Sequence, residues 1–315
     1  TATLCAAPAI GDLRIATILI QFQNDVDNTA YLGAGRPLTP ELCRSFLFES
    51  EESVNAFFQE NSYGKFSVTG DVFGPYVIPV DAPSAENDSS CMCLDEVIAV
   101  ADADIHFDEY DLITIIYPRS RNENGGFINY CGFQGAGSEK AFSSEEGDFH
   151  KTVFWINGFL DLHIMAHEIG HHFGRDHAGK RECEECWEFQ KDCQTAGVND
   201  PFDVMCYNTA PGYRAPGHFS AFNKLALGWL TQENVQTIEW SGIYDFTMTA
   251  LEADDSGVKY LSLPCNKTYE YSVEFRQNIG FDANLPPLNG LQFRLVSSRG
   301  LNGVTEIIEP VCDSD

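Results

Sequence analysis

Positive charge is scarce in this chain. Its 315 residues include 19 Lys and Arg against 47 Asp and Glu, a formal net charge of −28. A surface of that sign repels phosphate backbones and anionic lipid, so nucleic acid and acidic membranes are not expected as partners. Long apolar runs are lacking too. The longest strings, Ile15 to Phe22 and Leu112 to Tyr117, fall well short of the roughly 18 residues of a membrane span and fit buried strands instead. The sequence shows no repeat at solenoid periods and no low-complexity tract. An initiator Met is missing, since the chain opens at Thr1. The expectation is a chain that begins after processing or trimming, with a signal peptide and an inhibitory pro-segment upstream of Thr1.

What is present reads as globular: 43% hydrophobic and 12% aromatic residues, in a length sufficient for one large or two moderate domains. Eleven cysteines are many for a reducing compartment. With the sequons Asn87-Asp88-Ser89 and Asn266-Lys267-Thr268 they point to a secreted glycoprotein with disulfides. Cys183, Cys186, Cys193 and Cys206 admit a structural zinc site of four thiolates, but their spacing is irregular and disulfides are the preferred reading. The odd count leaves one thiol free or intermolecular. Asp102, Asp104, Asp108 and Asp111 form an acidic group without EF-hand spacing. Solvated carboxylates are the plainer reading there, and Ca2+ the alternative.

The most informative run is His167-Glu168-Ile169-Gly170-His171-His172-Phe173-Gly174-Arg175-Asp176-His177, which reads H-E-x-x-H-x-x-G-x-x-H. On a helix, His167 and His171 at i and i+4 share one face and can present two imidazoles to a single ion. Gly174 accepts φ > 0 and lets the chain turn, returning His177 as a third ligand. Three protein ligands leave the fourth position of one catalytic Zn2+ open to water, whose pKa falls to roughly 7 on zinc. Glu168 stands beside that position as general base, then as acid to a leaving amine. An amphipathic core helix would account for Leu160, Leu162, Met165, Ile169 and Phe173, but not for three His at ligand spacing. His163 and His172 match no motif position and read as structural or exposed.

This extended motif resembles that of the metzincin zinc peptidases, whose Met-turn passes beneath the metal. Asp203-Val204-Met205-Cys206-Tyr207 lies at a suitable distance, with Met205 as an apolar floor. In astacin-like and serralysin-like metzincins a tyrosine two residues after the Met reaches toward the zinc. By that resemblance Tyr207 binds the metal or donates to the oxyanion; otherwise it packs in the turn wall. Further segments resemble the gametolysin-like metallopeptidases and the related immune inhibitor A peptidases. They are Ser62-Tyr63-Gly64-Lys65-Phe66-Ser67-Val68, Asp200 to Met205, Phe219 to Trp229, Glu274-Phe275-Arg276-Gln277 and Gly280-Phe281-Asp282. The chain departs from those families in having His167 where a glutamine variant occurs, a Cys-rich insert between His177 and Met205, and Cys206 where small residues are common.

Periodicity predicts a strand over Arg14 to Phe22, a helix over Pro40 to Gln59 and short strands at Lys65 to Val68 and Val77 to Val80. A helix over Cys91 to Ala103, the strand Leu112 to Tyr117 and the strand Thr152 to Asn157 follow. Between 119 and 147 the chain is Gly-rich and polar and reads as loops around one strand near Phe127 to Tyr130. The fold class is therefore α/β (α+β): a metzincin-like catalytic domain, 1–234, with a mixed twisted sheet and a zinc helix. After Trp229 short strand-like runs recur at Val235 to Trp240, Tyr244 to Ala250, Lys259 to Leu263, Tyr271 to Arg276 and Leu291 to Val296. They suggest a β-rich, β-sandwich-like C-terminal domain, 235–315. The metzincin plan implies an extended protein or peptide substrate added to a sheet edge, here placed at Phe127 to Tyr130. The function expected is a secreted zinc endopeptidase acting on extracellular, matrix or cell-wall proteins. The alternatives are a non-catalytic binding or adhesion protein that retains the fold, for which a damaged motif would be expected, and a zinc hydrolase of non-peptide bonds.

Overall fold

The apolar runs become the inner strands of a five-stranded sheet. A computed structural model describes residues 9–25, 38–82, 92–118, 120–121, 127–128, 135–158, 160–183, 193–195, 197, 199–206, 217–239, 241–266, 269–285, 289–297 and 304–310. Tyr207, Cys186 and the Asn87 sequon lie outside them. In chain order the elements are β1 (Gly11–Phe22), α1 (Pro40–Arg44), α2 (Val54–Asn61), β2 (Phe66–Ile78), α3 (Leu94–Ala101) and β3 (Leu112–Tyr117). There follow β4 (Ser120–Arg121), β5 (Phe127–Ile128), β6 (Gly135–Ser144), β7 (Gly147–Asn157), α4 (Leu162–His172), β8 (Gly179–Cys183) and β9 (Cys193–Thr195). The remainder comprises α5 (Ala221–Ala226), β10 (Val235–Thr237), β11 (Tyr260–Pro264), β12 (Tyr269–Arg276), β13 (Gly290–Ser297) and β14 (Thr305–Pro310).

The chain divides into two compact units. The first comprises Gly11–Phe58 and Ser67–Glu168 and holds the sheet β2-β1-β3-β7-β6. β1, β3 and β7 run parallel, with Ile15 opposite Leu112 and Leu112 opposite Thr152; β6 closes the edge antiparallel to β7. Parallel strands are covered on both faces, and every residue of β3 is buried. Ile18, Ile20, Val97, Ile113, Ile115 and Trp155 belong to the resulting core.

Three differences from the sequence reading have physical causes. The expected helix 40–59 is broken: residues 45–49 form a π turn, Ser50 is extended (ψ 159°), and the Ser53 hydroxyl accepts the Ala56 N–H at 3.1 Å to begin α2. The two short strands near 66 and 78 are one strand, β2. A Cβ on Gly70 would stand 2.0 Å from the Ile15 carbonyl oxygen, so glycine lets β2 lie against β1. The outer strands of the sheet are β2 and β6, the latter in a stretch read from sequence as loops; Phe127–Ile128 (β5) pairs with β4 in a two-stranded ribbon, and residues 129–130 of the candidate substrate edge lie outside the described residues. β6 was hidden because it is mostly exposed, and an edge strand facing water needs no apolar alternation.

The second unit comprises Thr1–Ile10, Gln59–Phe66 and Ile169–Asp315. Its seven-stranded sheet runs β10-β11-β12-β13-β14-β8-β9. β8 pairs parallel with β14, Gly179 opposite Glu306, so this sheet draws strands from both sides of residue 235. The run Tyr244 to Ala250 contributes only the bridge Met248 to Val258. Two mixed sheets with helices agree with the expected fold class, including a β-rich C-terminal region. Among the described residues, no helix is long and apolar enough to cross a membrane.

Candidate metal centre

The segment that begins at Asp161 is built to hold His167, His171 and His177. The Asp161 carboxylate accepts the N–H groups of His163 at 2.9 Å and Ile164 at 3.3 Å, which caps the otherwise unsatisfied first turn of α4. The helix closes in a Schellman arrangement: Arg175 N–H donates to Gly170 O and Gly174 N–H to His171 O, both at 2.9 Å, with Gly174 at φ +71°. The chain then doubles back to His177.

The ligand nitrogens of His167, His171 and His177 lie within 4.8 Å of one another. His171 Nδ1 donates to the Arg175 carbonyl at 2.7 Å. That bond places the ring proton on Nδ1 and leaves Nε2 unprotonated, the form in which an imidazole binds a metal. His171 Nε2 and His177 Nε2 stand 3.1 Å apart, two donor atoms aimed at one point. Burial lowers the His171 pKa, and His177 lowers it further against the Arg175 bond, which favours the neutral, ligating form. Three imidazoles with an outer-shell carbonyl are a donor set suited to zinc. The group is also the one cluster of three or more His, Cys, Asp or Glu suited to a metal among the described residues.

Glu168 follows His167 and is buried, and burial pushes its carboxyl up to about 7. It lies against β6. A Cβ built on Gly135 would be 3.2 Å from Glu168 Oε1, and one on Gly137 3.3 Å from Oε2; the same atoms would meet Ile164 and Phe154 at 2.6 Å. Residues i and i+2 share one strand face. Two glycines therefore make room for the helix and its carboxylate at the sheet edge. The sequence reading missed both, although Gly135-Ala136-Gly137 is visible as a pattern and would require only that β6 be recognised as a strand.

Met205 packs on α4, where a Cβ on Gly170 would come 2.4 Å from its Sδ. Its carbonyl accepts the Ala178 N–H at 2.8 Å, immediately after His177. His163 is buried beside His167, ring centroids 5.7 Å apart, and the His172 ring packs on Phe173. Three members of the acidic group, Asp102, Asp104 and Asp111, are engaged by protein donors. Asp102 accepts the Glu145 N–H, Asp104 the Tyr76 hydroxyl at 2.8 Å, and Asp111 the Arg14 N–H at 2.7 Å. These bonds lend calcium no support. Among the described residues, buried Cys43, whose thiol burial pushes up to about 12, and exposed Cys265 carry no disulfide.

Residues 52–178 match the family described as metallo-peptidase family M12B, reprolysin-like. The match supports a zinc metallopeptidase of the metzincin type. It covers less than half of the 315-residue chain, contains Glu168 and all three histidines, and ends before Met205. A search of curated proteins finds no match to the chain. The metzincin assignment thus rests on the zinc helix and the strands before it. The segments that resemble the gametolysin-like peptidases lie largely beyond the match, in the second unit, where they bond to one another. Lys65 donates to the Trp229 carbonyl, and Phe66 makes an edge contact with Phe173 at 5.2 Å and stacks on Trp229 at 6.3 Å. Ala221 N–H meets Glu274 at 2.7 Å, and Arg276 meets Asp282 at 3.0 Å.

Proposed function

We propose that this protein is a secreted zinc endopeptidase of the gametolysin-like kind. The observation that carries the reading is the convergence of three imidazole donors on one point in a segment that also buries Glu168 against a sheet edge. His167, His171 and His177 would hold the ion, with Met205 as the floor. Zinc bound there supplies Lewis acidity and a nucleophilic water at neutral pH. Glu168 takes the proton of the attacking water on a carboxylate oxygen and delivers it to the leaving amine. The edge of β6, unpaired among the described residues, offers N–H and C=O groups to an extended peptide, so the substrate is a protein segment added as a further strand. Tyr207 is assigned the oxyanion contact by resemblance alone, and Tyr207→Phe with unchanged turnover and normal folding would remove it. The catalytic machinery is assigned to 1–234, with 235–315 as a β-rich portion.

Eleven cysteines and two sequons support export, disulfides in the 183–206 insert, glycosylation, and a pro-segment upstream. Extracellular matrix or cell-wall proteins are the substrates the resemblance suggests. The test is cleavage of casein and gelatin by the purified chain, with and without a zinc chelator, beside Glu168→Ala. Cleavage should disappear on chelation, return with added zinc, and be absent from a Glu168→Ala protein that still binds one zinc. A folded, zinc-loaded wild type that cleaves neither protein nor any member of a peptide library overturns the proposal.

A further inference from the structure

The residues that hold Met205 in place are not confined to its own turn. The Asp203 carboxylate accepts the Met205 N–H at 2.9 Å through one oxygen. Through the other it accepts the Ser220 N–H at 3.0 Å and the Asn223 side-chain amide at 3.1 Å. Three residues earlier, Asp200 pairs with Arg294 of β13. Arg294 also reaches Glu274 of β12 at 3.3 Å, and Glu274 pairs with Arg276 at 3.1 Å. Asp200, Arg294, Glu274 and Arg276 are all buried. Charges removed from water in this way persist only when their partners fix them in a narrow geometry. The turn at the other end touches the metal segment twice, at Gly170 between two ligands and at Ala178 after the third.

Resting on the reading of His167, His171 and His177 as zinc ligands, we infer that the buried arginine–carboxylate ladder of the seven-stranded sheet positions the Met205 turn and, through it, the metal site. Arg294 is a positioning residue: it touches neither metal nor substrate and acts through Asp200. The β-rich portion is then an integral support of the metal centre, not a detachable accessory. The ladder also explains why charged residues of the Glu274-x-Arg276 segment sit in a strand interior. Their role is to hold a loop, and apolar residues of similar volume would fill the space without specifying where Asp200 stands.

The test uses the full chain labelled with 13C at the methionine methyls. The chain has four methionines, and Met205→Leu assigns the Met205 signal. Arg294→Leu removes the ladder's contact with Asp200. Arg294→Lys keeps the charge without the fork and serves if the first variant does not fold. Leu261→Ala, a buried residue of β11 in the same sheet, controls for stability loss alone. Expected results are a displaced, broadened Met205 methyl signal in both Arg294 variants, larger for Leu, and zinc binding weakened about tenfold or more. Leu261→Ala should change neither at matched stability. An Arg294 variant with the Met205 signal and zinc affinity of the control overturns the inference. A wild type that binds no zinc overturns the peptidase reading, while the methyl comparison still decides whether Arg294 positions the turn.

Discussion

The two sheets are held by different chemistry. In the five-stranded sheet the interior is mostly hydrocarbon: β3 is buried at all six positions, with Val153 and Trp155 of β7 in the same core and Thr17 and Thr114 as buried hydroxyls. In the seven-stranded sheet the interior carries Arg276 among Glu252, Glu274 and Asp282, and Arg294 between Asp200 and Glu274. The first kind of core is non-directional and tolerates changes that keep volume. The second is directional, and each member depends on its neighbours. Glu168 belongs to the unit of the first kind and Met205 to the unit of the second.

The largest expected effect tests the ionic core. Burial alone disfavours the Arg276 charge, yet Asp282, Glu274 and Glu252 outweigh it and hold its pKa above the ordinary arginine value. Arg276→Met leaves those carboxylates facing one another without a cation, and should cost about 3–5 kcal/mol in urea unfolding. A loss below about 1 kcal/mol, the scale of an exposed pair, would mean that water reaches the network and that the contrast between the sheets is false.

The next prediction lies where the apolar unit meets the chemistry. Gly137→Ala places a methyl 3.3 Å from Glu168 Oε2 and in conflict with Phe154. A misplacement approaching 1 Å costs on the order of a hundredfold in rate. We expect kcat to fall tenfold to about a hundredfold with KM and bound zinc little changed. Equal losses in zinc content and kcat would show that the glycine supports α4 as a whole and not the carboxylate.

A smaller effect distinguishes the two units by pH. Lys224 is fully buried, with His218 Nδ1 at 3.0 Å and the Tyr63 hydroxyl at 3.3 Å. Burial lowers its pKa from 10.5 to about 7; Arg276 and Lys259 add to that, against Asp282 and Glu252. Between about 7 and 10.5 the unfolded chain binds a proton that the native state does not. Native stability should therefore rise with pH across that window, by at most about 1.4 kcal/mol per unit. Glu252, raised to about 7 mainly by burial, contributes the opposite slope, but only below about pH 7, so the windows separate. Lys224→Met should flatten the upper one. An unchanged slope in that variant assigns the effect to another group.

How much of this was legible in the residues follows the same division. The inner strands and the zinc helix could be read because their patterns carry the physics directly: apolar runs for buried parallel strands, His at i and i+4 with a helix-ending Gly for a metal. β6 could not, because its one demanding face is satisfied by Gly135 and Gly137 while most of the strand looks out to water. The ionic core could not either. Nothing in the sequence marks the charged Arg276 and Glu274 as interior, and only their pairing with Asp282, Glu252 and Arg294 shows that they are inside. The resemblance of these segments to a peptidase family pointed to them without supplying the reason, which is the bonding between them.

The smallest effect is expected in the middle of the apolar sheet, and it completes the contrast. Ile115 is buried on β3 with Ile18 of β1 and Trp155 of β7 as register partners. Ile115→Val removes one methylene and leaves no charge or hydrogen bond unsatisfied, so the cost should be about 0.5–1.5 kcal/mol with an unchanged denaturant slope. Zinc affinity and kcat should stay at wild-type values, since a small void in close-packed hydrocarbon is absorbed by its neighbours before it reaches Glu168. If this variant instead lost as much stability as Arg276→Met, or lost activity out of proportion to stability, the five-stranded sheet would be as geometrically exacting as the ionic one. The difference between the two units would then lie in composition alone.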